Sequence, residues 1–354
     1  MNFKIAVLPG DGIGPEIIEQ AKKVVLATGK KFGHTFAFSE GLIGAIAIDK
    51  TGSPLPAETL ELCKESDAVL FGAIGDPKYD NNPAAKVRPE QGLLAMRKEL
   101  GLYANVRPIT TFPSLLDKSP LKKEVVEGVD ILMVRELTGG IYFGKPQGRS
   151  EDGKTAYDSC VYSKYEVERV VRLACEYAMA RSKRVTVVDK ANVLATSRLW
   201  RETALEVAKD FGDVQMDFMF VDNAAMQLIQ NPGRFDVIVT ENMFGDILSD
   251  EASVITGSLG LLPSASIGLL TSVFEPIHGS YPQAAGKNIA NPLGTILSAA
   301  MMFDYAFKLK NEAEAIRNAV EQSVENDFVT EDLNRKNPKS TSQVGDWIAG
   351  KTGS

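Results

Sequence analysis

Cysteine is scarce in this chain: Cys63, Cys160 and Cys175 among 354 residues. Three residues cannot build a disulfide framework, and their spacing matches no zinc motif. The expectation is reduced, idle thiols in a soluble cytoplasmic protein. Histidine is scarcer still, with two residues. Neither accompanies a Ser or Cys nucleophile in a motif, which argues against triad chemistry. No stretch approaches the ~20 apolar residues that a membrane span requires. The apolar run after Met1 is too short for the core of a signal peptide. Positive charge is in deficit, with 39 Lys and Arg against 46 Asp and Glu and a net charge of −7. A general nucleic-acid binder is expected to be basic, so that class is disfavoured. A small anion held in a local basic pocket is not. Internal repeats and low-complexity tracts are also missing.

What is present is ordinary globular composition, 44% hydrophobic and 24% charged, which excludes disordered and fibrous classes. At a typical ~150 residues per domain, the length suggests two domains. Short apolar runs alternate with longer amphipathic ones, the pattern of an α/β protein. Residues 3–8, 68–71, 129–134, 184–188, 215–221 and 235–240 read as strands. Helices are predicted over 15–28, 92–100, 165–181, 292–309 and 312–327. Residues 138–149 hold four Gly and one Pro and read as a hairpin or projecting arm. Residues 257–268 and 275–292 read as loops rich in Gly, Ser and Pro.

In open α/β sheets ligands gather beyond the carboxyl ends of the strands. Four strands here end in polar groups: Arg135-Glu136, Asp189-Lys190-Ala191-Asn192, Asp222-Asn223 and Glu241-Asn242. They indicate either one polar sheet edge or a set of solvated caps. The sharpest signal is Asn242-Met243-Phe244-Gly245-Asp246-Ile247-Leu248-Ser249-Asp250. Asp246 and Asp250 are four apart and share a helix face, where like charges repel. A divalent cation would reverse that penalty, and oxygen-only ligands suit Mg²⁺ or Mn²⁺. The plainer reading is a helix-start pair favoured by the macrodipole. Arg97 lies four after Leu93 on one helix face, Arg107 sits in Asn105-Val106-Arg107-Pro108, and Arg135 ends a strand. Arginine holds carboxylates in a bidentate fork, so the three fit a substrate bearing carboxylates, or ordinary salt bridges. The turn Gly10-Asp11-Gly12-Ile13-Gly14-Pro15 fails the G-x-G-x-x-G fingerprint because Pro15 replaces the last glycine. Glu275-Pro276-Ile277-His278-Gly279-Ser280 and Gly286-Lys287-Asn288-Ile289-Ala290-Asn291-Pro292 form a Gly-rich pair of loops before a helix, suited to phosphate or ribose contacts.

Taken together, these motifs resemble the β-decarboxylating dehydrogenases, the isocitrate/isopropylmalate family, over essentially the whole chain. The segment 242–261 and the opening Gly10-Asp11-Gly12-Ile13-Gly14-Pro15-Glu16 carry the match. Gly92-Leu93-Leu94-Ala95-Met96-Arg97 and Arg135-Glu136-Leu137-Thr138-Gly139-Gly140-Ile141-Tyr142-Phe143-Gly144 are similar to the branch acting on a malate with an isopropyl group, a step of leucine biosynthesis. Isocitrate enzymes place Ser and Asn where this chain has Gln91 and Leu93. Members acting on D-malate, tartrate or homoisocitrate are the neighbouring alternatives. A non-catalytic regulatory subunit, or a metal-dependent lyase or phosphatase, would be a different class.

The resemblance implies a two-domain, non-Rossmann α/β fold with an arm-like hairpin at a homodimer interface. It implies a cofactor domain made of 1–102 plus 257–354, and a dimerisation and substrate/metal domain over 103–256. By the same resemblance Tyr142 and Lys190 transfer protons, and Leu93, Arg97, Arg107, Arg135 and Asp222 bind substrate. Asp222, Asp246 and Asp250 hold Mg²⁺ or Mn²⁺, with Lys190 and Asp222 supplied by the second subunit. Lys190, flanked by arginines and metal, is expected to have its pKa pushed down. Glu90, His278, Gly279, Ser280, Gln283 and Asn291 contact NAD. Gln283 stands where NAD-dependent members carry an acid for the adenosine ribose, and Gln283-Ala284-Ala285 offers no cation for a 2′-phosphate, so NAD is retained.

Overall fold

The computed structural model describes residues 1–80 and 87–354. Its strands are β1 (Asn2–Gly10), β2 (Thr35–Glu40), β3 (Ala68–Ala73), β4 (Leu102–Thr110), β5 (Asp130–Glu136), β6 (Gln147–Arg149), β7 (Ala156–Asp158), β8 (Arg184–Asp189), β9 (Gln215–Phe220), β10 (Val237–Thr240), β11 (Pro263–Gly268) and β12 (Val273–Pro276). Two compact units result, Met1–Leu102 with Gly257–Ser354, and Tyr103–Thr256.

In the first unit the strands lie in the order β2-β1-β3-β12-β11. All neighbours are parallel except β11–β12. β3 is buried at every position, as a parallel strand covered on both faces should be. The helix Gly14–Phe32 starts with Pro15 in its first turn, where the missing N–H costs nothing. It ends at Gly33, whose φ of 76° closes the left-handed cap. The helix Thr341–Gly353 packs on it so closely that a Cβ at Gly345 would lie 2.4 Å from Gln20 Oε1.

The turn Gly10-Asp11-Gly12 is not ligand-facing at Asp11. The buried Asp11 carboxylate accepts the backbone N–H groups of Ala45, Ile46 and Gly75, each at 2.9 Å, and so fixes the start of the helix Ala45–Thr51. The backbone of the turn is held to the loop at Ser280 by Ile13 N–H donating to Ser280 O at 2.8 Å.

In the second unit the order is β4-β5-β10-β8-β9, with β4–β5 antiparallel and the rest parallel. The register puts Thr240 beside both Arg135 and Val188, and Asp189 beside Phe220. The four strand ends singled out in the sequence therefore line one edge. The core beneath includes Ile131, Met133, Ile238, Leu248 and Ala252, all buried. The helix Lys164–Met179 buries its stripe Val167, Val170, Val171, Ala174 and Ala178, and Ser163 with Glu166 closes a capping box at its start.

The hairpin is displaced from its expected place at 138–149. β6 pairs antiparallel with β7, so it spans 147–158. The glycines of 138–144 serve close packing instead. A Cβ at Gly139 would meet the Tyr162 ring at 2.5 Å, and one at Gly144 would meet Ser159 O at 1.8 Å. Among the described residues no helix is long and apolar enough to cross a membrane.

Candidate active site

The second unit assembles its polar centre on the helix Asn242–Ser253. Leu248 and Ala252 turn into the core, which leaves Asp246 and Asp250 together on another face. Two arginines supply the counter-charge. Arg135, 3% exposed in its side chain, ion-pairs through Nη1 with Asp246 Oδ1. Arg107 reaches Asp250 Oδ1 from Nη1 at 3.3 Å and lies 3.8 Å from Asp246 Oδ1 through Nη2. Arg107 also donates to Ser249 Oγ and to Asn105 Oδ1, both at 2.5 Å. Buried guanidinium groups require such pairing, because an unpaired charge there is costly.

Space for Arg135 comes from Gly245. A Cβ there would lie 2.6 Å from Arg135 Cγ, so only glycine lets the arginine stem lie against the helix. Asn242 then fixes the guanidinium. Its Oδ1 accepts from Arg135 Nη2 at 2.8 Å and Nε at 3.2 Å.

Tyr142 joins this centre by donating its hydroxyl to Asp246 Oδ2 at 3.0 Å. Partial burial, then the Asp246 charge, raises the phenol above its ordinary pKa, so it holds its proton. Lys190 Nζ donates to Asp222 Oδ1 at 2.7 Å, which holds Asp222 below the usual carboxylate range. In the structure the partner of Lys190 is thus a carboxylate rather than a like charge. Among the described residues no three His, Cys, Asp or Glu side chains gather as a metal-ligand set. Asp246 and Asp250 come together, and Asp222 does not complete them within one chain.

The other polar strand ends are structural. Asp189, 2% exposed, takes two bonds from Arg201 at 2.9 Å. Glu136 is fully buried and accepts the N–H groups of Thr138 at 2.7 Å and Gly139 at 2.8 Å. Glu241 caps the helix by accepting Phe244 N–H at 2.7 Å. Burial raises both glutamates above the ordinary range.

In the first unit, the helix Pro89–Glu99 carries half-buried Leu93 and Leu94, buried Arg97, and exposed Glu90 in its first turn. Arg97 Nη2 lies 3.8 Å from Glu275 Oε1, and Glu90 Oε1 sits 3.2 Å from where Gly75 would carry a Cβ.

A cleft of about 750 Å³ is lined by Ile13, Ser258, Leu259, Gly260, His278, Gly279, Tyr281, Ile289, Ala290, Asn291, Glu331, Asp332 and Arg335. It gathers three of the residues singled out in the sequence, His278, Gly279 and Asn291. Ser280 is buried beside it, whereas Gln283 stands exposed on the short turn Pro282–Ala284, off the lining. Burial holds His278 below its ordinary pKa. Its Nδ1 lies 3.0 Å from Gly279 O, which assigns the proton to Nδ1. Nε2 is then an acceptor, buried and without a hydrogen-bond partner among the described residues.

Several residues escape a reading of the sequence. Asp332 holds Asn291 Nδ2 at 2.9 Å, and Arg335 brings a cation to the cleft; both lie some forty residues beyond the Gly-rich loops. Asn105 is within reach of such a reading, since it shares a strand face with Arg107 at the two-residue period. Asn242 and Gly245 act on Arg135 across the β5–β10 pairing, which no local pattern announces.

The fold and this centre place the chain in a class of two-unit α/β proteins with arginines and carboxylates gathered at one sheet edge. Comparison with known proteins makes this specific. The model of the isocitrate/isopropylmalate dehydrogenase family matches residues 4–348. A 3-isopropylmalate dehydrogenase of Bacteroides fragilis (strain YCH46) is 58% identical over 350 residues, covering 98% of each chain. That of Geobacillus kaustophilus (strain HTA426) is 60% identical over 335 residues, 94% of this chain and 90% of the relative. The crystal structure of isocitrate dehydrogenase from Methylococcus capsulatus superposes with a TM-score of 0.89 at 36% identity, covering 99% of this chain and 100% of that one. The apo β-decarboxylating dehydrogenase of Thermococcus kodakarensis gives 0.81 at 37% identity, covering 99% and 96%. The chain belongs to the isocitrate/isopropylmalate dehydrogenase family.

Proposed function

We propose that this protein catalyses the NAD- and divalent-metal-dependent oxidative decarboxylation of (2R,3S)-3-isopropylmalate to 4-methyl-2-oxopentanoate and CO₂, the step used in leucine biosynthesis. The observation that carries the chemistry is the convergence of Arg107, Arg135 and Tyr142 on the Asp246/Asp250 pair. The names of the relatives support the substrate.

Charge counting supports a cation. Two arginines and two aspartates balance, and a malate dianion would leave two uncompensated negative charges, which one divalent ion neutralises. Asp246 and Asp250 offer hard oxygen ligands suited to Mg²⁺ or Mn²⁺. Asp222 is the third, contributed by a second copy of the chain together with Lys190. Exposed apolar side chains support that second copy. Met226 and Ile229 are 53% and 37% exposed on the helix that carries Asp222, and Ile247 is 60% exposed beside Asp246. Apolar groups set among site residues mark a covered surface better than a solvated one. The hairpin of β6 and β7 belongs to that interface.

The first-unit cleft suits NAD. It offers an apolar floor at Ile13 and Ile289, and the unpaired His278 Nε2 fits a donor on a nucleotide. His278, Gly279, Ser280 and Asn291 would hold the cofactor, together with Glu90 and Gln283. When bound, a nicotinamide would supply the hydride acceptor and a divalent cation would supply a Lewis acid for the substrate oxygens.

Arg97, Arg107 and Arg135 bind and orient the carboxylates. Leu93 and Leu94 receive the isopropyl group. Lys190 is the base that takes the proton of the C2 hydroxyl as the C2 hydride departs. The resulting 2-oxo acid carries its C3 carboxylate β to the ketone, so the C–C bond breaks with its electrons moving to the enolate and CO₂ leaving. Tyr142, kept protonated beside Asp246, donates the proton to C3. With no helix suited to a membrane among the described residues, a cytoplasmic location fits.

The test is turnover of purified protein with Mg²⁺ or Mn²⁺, NAD and 3-isopropylmalate, followed as NADH absorbance, beside D-malate, tartrate and homoisocitrate. Preference for the isopropyl substrate is expected. Turnover of D-malate without turnover of 3-isopropylmalate would overturn the assignment.

A further inference from the structure

We infer that Asn242 is a positioning residue that ties the substrate arginine to the segment carrying the proton donor, so that one amide sets both. The inference rests on the roles proposed above for Arg135 and Tyr142.

Asn242 is 1% exposed and engages both polar atoms of its side chain and its backbone N–H. Its side-chain oxygen accepts twice from Arg135, at 2.8 and 3.2 Å. Its side-chain nitrogen donates to Gly139 O at 3.2 Å. Its backbone N–H donates to the Tyr162 hydroxyl at 2.9 Å. The first helical position of an ordinary helix needs no such side-chain bonds, because its N–H alone must be satisfied.

Each partner is itself immobilised. Tyr162 packs edge-on against Trp200 at 5.5 Å and donates to Glu241 Oε2 at 3.2 Å. Gly139 is held by the buried Glu136 through its N–H at 2.8 Å, and it packs so close to the Tyr162 ring that a Cβ would clash. Gly140, at φ +78°, donates to Val161 O at 2.9 Å and accepts from Gly144 N–H at 2.9 Å. Residues 140–144 thus form a closed turn, and Tyr142 sits at its centre. The amide is asymmetric in what it does: its oxygen orients the guanidinium, and its nitrogen anchors the turn. A side chain lacking one atom should lose one function and keep the other.

The experiment compares Asn242→Ala and Asn242→Asp with wild type, after wild-type turnover of 3-isopropylmalate has been measured. Thermal melting gives the folded fraction of each. Asp keeps the acceptors for Arg135 but sets a carboxylate oxygen against Gly139 O. The expected result is a KM for 3-isopropylmalate within threefold of wild type and a kcat lowered at least tenfold. Ala loses both links, and its KM rises at least tenfold with the kcat loss, while the KM for NAD stays within twofold. If the Ala variant does not fold, the KM-against-kcat split of the Asp variant decides alone. Equal activity per folded molecule in the variants and wild type overturns the inference, as does a fall in kcat for Asp matched by the same rise in KM. Absence of turnover in wild type would instead refute the function on which it rests.

Discussion

The substitution Gly245→Ala isolates the packing that places Arg135. An added Cβ would lie 2.6 Å from Arg135 Cγ, 2.8 Å from its Cβ and 3.2 Å from Thr240 Cγ2. Carbon atoms in contact prefer about 3.5–4.0 Å, so the arginine stem must retreat by about 1 Å. It cannot swing into solvent, because its side chain is only 3% exposed. Overpacking of this kind costs about 1–3 kcal/mol, and the better helix propensity of Ala offsets about 1 kcal/mol. Stability should therefore fall by about 0–2 kcal/mol. Recognition should change more. The two bonds to Asn242, at 2.8 and 3.2 Å, and the pairing with Asp246 all depend on the stem position. A hydrogen bond to a charged group is worth about 1.5–3 kcal/mol. Since each 1.4 kcal/mol is about tenfold, KM for the malate substrate should rise roughly 10- to 100-fold. Steady-state kinetics beside a melting curve give both numbers. A variant with unchanged KM and an equal or higher Tm would show that Arg135 is indifferent to the helix surface at Gly245.

Further outcomes follow from the same geometry. Lys190→Met should lower kcat by about 10²–10⁴-fold, the range for a positioned proton acceptor. Its Tm should barely move, since exposed ion pairs contribute about 0–1 kcal/mol; full activity would exclude Lys190 as the base. Mixing inactive Lys190→Met and Asp246→Asn proteins should restore turnover through hybrid dimers with one intact site, and silence of the mixture would contradict sites shared between copies. His278 has a depressed pKa from burial, so the unfolded chain binds its proton first as pH falls below about 6.5. Folding should lose stability through that window, and His278→Gln should lose less Tm between pH 7 and pH 5 than wild type; equal losses would place His278 outside the buried cleft. Arg335→Glu should weaken NAD binding about tenfold, or ~1.4 kcal/mol, with the KM for 3-isopropylmalate much less affected. Unchanged NAD affinity would remove Arg335 from the cofactor cleft.

The strongly periodic parts of this chain are legible in its sequence. The stripe Val167, Val170, Val171, Ala174 and Ala178 reads as a buried helix face and is one. The pair Asp246 and Asp250 reads as one helix face and lies together against two arginines. What escapes does so for physical reasons. β11 reads Pro-Ser-Ala-Ser-Ile-Gly, turn-like in composition, yet it is a buried strand whose Ser264 hydroxyl donates to Glu275 O at 3.0 Å. Thr341–Gly353 contains Gly345, which weakens helix propensity but permits the close approach to Gln20. The hairpin expected at 138–149 shifts to 147–158 because the earlier glycines are consumed in packing on Tyr162 and Ser159. Within the site, Arg135 is visible as a strand end, but the amide that orients it lies 107 residues away. Likewise Arg335 reaches the cleft although the Gly-rich loops carry no cation at the matching stretch. Local spacing reveals which side chains can act together on one element; contacts made by sheet order need the fold.

Coupling of oxidation to decarboxylation at this site is read from the stoichiometry of a single reaction. Purified protein is given 3-isopropylmalate, NAD and Mg²⁺ or Mn²⁺, and NADH, CO₂ and 4-methyl-2-oxopentanoate are quantified together. The three are expected in equal amounts, with none formed when the cation is chelated. NADH without CO₂, or CO₂ without NADH, would contradict the coupled oxidation and decarboxylation assigned to this site.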